Sequence, residues 1–118
     1  KLPSQIKELL RDLENIEWQI KVVFLSGGQV QSDIVYFEEG KFISRNYSLQ
    51  SYSPSDYSLL IEDEDKITWE ATQTAGDGAV SWRGVIKMAD MEGYFRLRSS
   101  DGRAQDFSFV STSSRRRK

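Results

Sequence analysis

The side chains able to do chemistry in this 118-residue chain are carboxylates, lysines, tyrosines, serines and threonines, because it contains neither cysteine nor histidine. A thiolate nucleophile, an imidazole base and a Ser–His–Asp triad cannot be built without those residues. Zinc sites nearly always use Cys or His ligands, so we expect no metal site. No internal pair of carboxylates is evident, and Gly27-Gly28 lacks the spacing of a phosphate-binding loop. The sequence therefore predicts a protein that is not an enzyme and has no cofactor.

Aromatic residues and one glutamine form the group best suited to a ligand. Trp69 and Gln73 share one face of an alternating segment, and Trp82 lies on the next segment along the chain. An apolar pocket needs aromatic walls and a few polar groups that fix the orientation of its ligand. We therefore predict that any ligand site lies at a barrel mouth bounded by Tyr57, Trp69, Gln73 and Trp82, with Tyr47 and Tyr52 from the loop above.

A packed core explains the same residues without a ligand, since small eight-stranded barrels are often filled by side chains. Gly84 and Gly93 also point inward, where they either leave space or relieve strand curvature. Gln73 either binds a ligand or marks the place where a strand leaves the core. The Tyr-rich loop 46–57 has the composition of a contact surface, yet its tyrosines could equally anchor the loop to the rim.

Two charged runs have simpler explanations than ligand binding. Residues 62–65 are all acidic but lack the ligand spacing of a calcium loop, so we interpret them as a solvated turn. Residues 115–118 are all basic and follow a polar stretch, so we expect 112–118 to form a flexible basic tail. No basic stripe interleaved with aromatic residues is visible, which argues against nucleic-acid binding.

The elements that would position these residues follow from two periodicities. Apolar residues recur at helical spacing over about 4–16, which predicts an N-terminal helix packed on a barrel mouth or a sheet face. After Glu17 the period changes to two, and short turns separate about eight strands. We predict a mainly β domain over 1–111, an antiparallel meander that forms a closed or partly open barrel. The expected inward face carries Trp18, Ile20, Val22, Phe24, Tyr57, Leu59, Ile61, Trp69, Trp82, Ile86, Phe95, Leu97, Phe107 and Phe109.

This pattern resembles the calycin-type barrels, namely lipocalins, fatty-acid-binding proteins and avidins. The resemblance lies in the N-terminal helix, in Trp18 near the start of the first strand and in the later meander through Ser100-Asp101-Gly102. It covers nearly the whole chain at the level of fold. The segments 67–74, 81–84 and 106–109 are also similar to small bacterial domains thought to be exported. The resemblance implies ligand binding by analogy of fold.

Two binding functions and one enzymatic function stay open. The first is a non-enzymatic module that binds a small apolar or aromatic ligand at the barrel mouth. The alternative is a protein-interaction or inhibitor domain that uses the Tyr-rich loop 46–57. An enzyme of carboxylate or lysine chemistry ranks third. No apolar run reaches the roughly 18 residues of a membrane helix. The chain begins at Lys1 and not at Met. Either removal of a signal peptide, which would indicate a periplasmic or secreted protein, or trimming explains this start.

Overall fold

The computed structural model describes residues 4–62 and 66–117. Helix α1 is followed by a 3₁₀ turn and then by the first strand, and a second, short helix α2 interrupts the connection between the third and fourth strands. The helical elements are α1 (Ser4–Asp12), the 3₁₀ turn (Leu13–Asn15) and α2 (Arg45–Ser48). The strands are β1 (Ile16–Phe24), β2 (Val30–Glu38), β3 (Lys41–Ser44), β4 (Ser55–Glu62), β5 (Lys66–Ala75), β6 (Gly78–Lys87), β7 (Asp90–Arg98) and β8 (Ala104–Arg116).

The eight strands form one closed antiparallel barrel in chain order. Each strand pairs with the next, and β1 closes the sheet by pairing with β8. The predicted mainly β meander is confirmed, and it is consistent with a calycin-like barrel at the level of fold. In such a meander the connections alternate between two ends. We call the end with the β1–β2, β3–β4, β5–β6 and β7–β8 connections the mouth end, and the end with the 3₁₀ turn the helix end.

Alternation of side chains across the strands places the tryptophans and most of the other aromatic residues inside the barrel. Trp18, Trp69 and Trp82 are at most 2% exposed. As predicted, Trp69 and Trp82 lie on adjacent strands and the same face, with stacked rings 6.4 Å apart. Glu70 and Arg83 form an exposed ion pair across the outside of the same two strands, with Oε2 and Nη1 2.7 Å apart. Leu59 departs from the expected inward face, since 38% of it is exposed in the middle of β4.

The inward glycine at position 84 leaves no open space. A Cβ built there would lie 2.5 Å from the indole of Trp69. The indole therefore occupies the volume that a larger side chain would need. The structure therefore shows close packing at Gly84 and not the open space that was one of its two expected roles.

The 3₁₀ turn closes the helix end, as expected for an amphipathic segment that packs on a barrel. Leu13 is buried in the core. The Glu14 carboxylate accepts hydrogen bonds from the backbone N–H of Gly40 at 2.9 Å and from the hydroxyl of Tyr57 at 2.8 Å. These bonds, that from Gly40 first, lower the pKa of Glu14. One carboxylate thus ties the turn to two parts of the barrel.

The expectation of a flexible tail from Thr112 is wrong for residues 112–117. Strand β8 continues to Arg116, which lies opposite Ile16 in the ladder with β1. A backbone ladder needs no apolar alternation, and here Thr112 and Ser113 also donate hydrogen bonds to Gln19. The polar composition of this segment therefore hid a strand. Lys118 lies outside the described residues.

Residues 63–65 of the expected acidic turn also lie outside the described part of the chain. Among the helices that the structure describes, none has the length and apolar character needed to span a bilayer.

Candidate functional site

Stacked aromatic rings fill the middle of the barrel. Phe42 packs between the two indoles, with ring centroids 4.6 Å from Trp69 and 5.0 Å from Trp82. Phe95 continues the stack, at 4.2 Å from Trp82 and 4.6 Å from Phe107. Aromatic pairs at these separations are in contact. The packed-core interpretation therefore holds for this part of the interior, and a ligand would have to bind above the rings rather than among them.

Gln73 is a buried structural link. Its side chain is 0% exposed. Its Oε1 accepts a hydrogen bond from the indole N–H of Trp82 at 3.1 Å, and its Nε2 donates to the carbonyl of Ser53 at 3.3 Å. Both ends of the amide are engaged within the protein. The position is at the mouth end, as predicted, but the amide holds a loop onto the core.

Tyr57 does not join the other predicted site residues, because its hydroxyl points to the helix end. The hydroxyl donates to Glu14, and the ring lies 4.6 Å from that of Phe37. Burial, followed by the carboxylate of Glu14, raises the pKa of Tyr57. The parity of β4 correctly placed its ring inward. Parity could not tell toward which end of the barrel the ring would lean.

Tyr47 and Tyr52 anchor the connection between β3 and β4 to the mouth. Ser44 caps α2, with its Oγ accepting from the backbone N–H of Tyr47 at 3.3 Å. The ring of Tyr47 lies 5.3 Å from that of Tyr52 and 5.8 Å from that of Phe95. Burial raises the pKa of Tyr47 to about 12. Of the two expectations for this loop, the anchoring of tyrosines on the rim is observed for Tyr47.

A depression of about 540 Å³ lies at the mouth end, between α2 and the first half of β2. We call it the mouth depression. Its apolar lining consists of Val22, Tyr47, Leu49 and Phe95. Its polar lining consists of Gln31, Ser32, Asp33, Asn46 and Gln50. Tyr47 is the residue that it shares with the predicted site.

Asp33 is the residue of this depression that the sequence reasoning missed. It occupies an inward position of β2, two residues before Val35, and is 5% exposed. Its Oδ1 accepts from the backbone N–H groups of Ile34 at 2.7 Å and Asn46 at 3.0 Å, and its Oδ2 accepts from the hydroxyl of Ser44. Burial raises the pKa of Asp33, although the three hydrogen bonds act to lower it. A carboxylate at an inward strand position was the signal that could have identified it.

Exposed apolar side chains surround the same end of the barrel. Leu49 follows α2 and is 82% exposed, and Leu25 and Val30, at the two ends of the β1–β2 connection, are 62% and 55% exposed. Contiguous exposed apolar patches mark interaction surfaces, whereas single exposed apolar residues are ordinary.

A second depression, also of about 540 Å³, lies on the outside of β5–β8. Its two guanidiniums are already paired, Arg83 with Glu70 and Arg96 with Asp106, each at 2.7 Å. These pairs leave it less suited than the mouth depression to recognise a charged group.

Comparisons with protein-family models, with curated proteins and with solved structures gave no match. Within residues 4–62 and 66–117, no cluster of three or more carboxylates has an arrangement that could hold a metal ion.

Proposed function

We propose that this protein is a non-enzymatic binding module that recognises another protein through its mouth end. Of the two binding functions that the sequence left open, the protein-interaction alternative has the better support. The observation that carries it is the combination of a filled barrel interior with an open depression whose lining includes the exposed side chain of Leu49.

The filled interior limits what a small ligand could gain. Ligand sites usually bury most of the surface of their ligand. Here the buried residues Tyr47 and Phe95 line the depression, and the ring of Phe95 is stacked on Trp82 at 4.2 Å. A small molecule would therefore rest in the depression with one side in water.

A protein surface would cover both the depression and its surroundings. Interfaces bury apolar and aromatic residues at their centre and keep polar groups at the rim. Leu49 is well placed for the centre, because it is 82% exposed and also lines the depression. The amide side chains of Asn46 and Gln50 line the same depression and supply polar partners.

Selection from a random peptide display library tests this proposal. We expect selected peptides to lose at least about tenfold in affinity when Leu49 is changed to Glu, since a charge would then replace a buried contact. Leu60→Glu is the matched control, because Leu60 is 58% exposed on β4 and lies outside the depression. Peptides that bind both variants as well as the unaltered protein would disprove the mouth end as the site.

A small apolar or aromatic ligand is the second candidate, favoured by the volume of the mouth depression. About 540 Å³ lies within the range of ligand pockets. Titration with indole, followed by the amide resonances of residues 46–50, tests it. Shifts confined to these amides would favour the small ligand, and their absence would exclude this chemistry.

A further inference from the structure

We propose that the mouth depression recognises a basic side chain of its protein partner, with the carboxylate of Asp33 as the charged acceptor. This inference rests on the proposed function, and it adds the chemical class of the group that enters the depression.

The first argument is the charge of the lining. Asp33 is the one ionisable acid or base among the residues that line the depression, apart from the phenol of Tyr47. In the part of the chain that the structure describes, the ion pairs do not include Asp33. The nearby cation that acts on it is Arg45, which is exposed at the start of α2 and makes the smallest contribution to its pKa. The carboxylate is thus buried without a bound countercharge.

The second argument is the hydrogen-bonding capacity that remains. An ionised carboxylate offers about four acceptor positions. Two N–H groups occupy Oδ1, while Oδ2 accepts from the hydroxyl of Ser44 alone among the described residues. At least one acceptor position on Oδ2 therefore has no donor among the described residues.

The third argument is the lining around the carboxylate. Val22, Tyr47 and Phe95 give the depression an apolar wall against which the stem of a long side chain can pack. Gln31, Asn46 and Gln50 supply amide oxygens that can accept further hydrogen bonds from a guanidinium. A carboxylate, amide oxygens and an apolar wall together favour a long cationic side chain over a neutral or anionic one.

A pair of isosteric probes tests the inference on the unaltered protein. N-acetyl-arginine amide carries the guanidinium, and N-acetyl-citrulline amide has the same shape without the charge. We expect the arginine probe to shift the amide resonances of Ile34 and Asn46, which both donate to Asp33, and to bind at least about tenfold more tightly than the citrulline probe.

Asp33→Asn removes the charge and keeps an amide oxygen that can accept from the same backbone N–H groups. We expect this variant to lose the preference for arginine over citrulline. Asp77→Asn is the control, because Asp77 is an exposed acid at the same end of the barrel. It should keep the preference within about twofold.

The outcomes separate this inference from the proposed function. Equal binding of both probes at Ile34 and Asn46 would overturn charge recognition and leave the depression as a binding site. The absence of binding by either probe would overturn the inference, while the peptide selection with Leu49→Glu would still decide the proposed function. Because the comparison of the two probes needs no variant, it holds even if Asp33→Asn fails to fold.

Discussion

A single buried amide connects a loop, two strands and an indole at the mouth end. We expect Gln73→Ala to lower the free energy of unfolding by about 2–4 kcal/mol, because it leaves a cavity and removes the acceptor of the Trp82 indole N–H. Urea denaturation measures the loss. Thr72→Ala, at the neighbouring exposed position, is the control. A loss below about 0.5 kcal/mol for Gln73→Ala would mean that the amide is not buried as described.

The contact between Gly84 and Trp69 gives a second residue-scale prediction. Gly84→Ala should destabilise the protein by about 1–3 kcal/mol, because the added methyl group would overlap the indole at 2.5 Å. The near-ultraviolet circular dichroism of the tryptophans should change as the indole moves. Ser81→Ala, exposed on the same strand, should leave both stability and spectrum unaltered. An unchanged stability in Gly84→Ala would indicate free space beside the ring.

At this scale the sequence predicted which face a residue occupies, and not its partner. Alternation was enough to put Trp69 and Trp82 on one face of adjacent strands. The partners of Gln73 and Tyr57 are a loop carbonyl at Ser53 and a carboxylate at Glu14, which are 20 and 43 residues away along the chain. Such contacts depend on how loops fold over the ends, and strand periodicity carries no information about them.

At the scale of elements, the last residues of the chain fasten the helix end. Arg117 donates from its guanidinium to Glu38 at 2.8 Å, lies 4.2 Å from the centre of the Tyr36 ring, and bonds through its backbone N–H to the carbonyl of Asn15. We expect Arg117→Ala to lower the free energy of unfolding by about 1 kcal/mol.

Arg116→Ala is the matched control for this prediction. The side chain of Arg116 is 66% exposed and its ion pair with Asp12 spans 3.6 Å, so its loss should cost less than about 0.5 kcal/mol. Thermal unfolding of the two variants compares them directly. Equal losses would show that the side chain of Arg117 adds no more stability than the exposed arginine that precedes it.

The 3₁₀ turn gives a prediction that depends on pH. The pKa of Glu14 is lowered in the folded protein, so its bonds stabilise the fold above its unfolded pKa of about 4.3 and are lost as the pH falls through the lower folded value. Glu14→Gln should therefore cost about 1 kcal/mol at pH 7 and progressively less below about pH 4. Urea denaturation at both pH values, with the exposed Glu92→Gln as control, measures this difference. A cost independent of pH would rule out the charge as its source.

Element boundaries were predictable where apolar and polar residues alternate. They were not predictable in segments that lack this alternation. The hairpins β5–β6 and β6–β7 follow from the alternation around Trp69 and Trp82. Helix α2 and the last residues of strand β8 are mainly polar. Both are held by backbone and side-chain hydrogen bonds to other elements. Their structure is a consequence of the closed barrel, and so it was not visible in their own sequences.

For the whole molecule, the burial of all three tryptophans in one core predicts a single cooperative transition. Tryptophan fluorescence should be blue-shifted and poorly quenched by acrylamide in the folded protein. Its change on unfolding in urea should coincide with the loss of the far-ultraviolet circular dichroism of the strands. Separate midpoints for the two signals would mean that the aromatic core and the sheet do not form one unit.

The pairing of β1 with β8 also determines when the barrel can close. Ile16 lies opposite Arg116, so this ladder joins the first strand of the chain to the last. The other seven ladders join consecutive strands. Contacts distant in sequence make folding slower, because the chain must be ordered before they form. During synthesis β1 emerges early and must wait for its partner, with an unpaired edge that can meet other chains. Refolding yield should therefore fall as protein concentration rises, even though the finished barrel has no open edge.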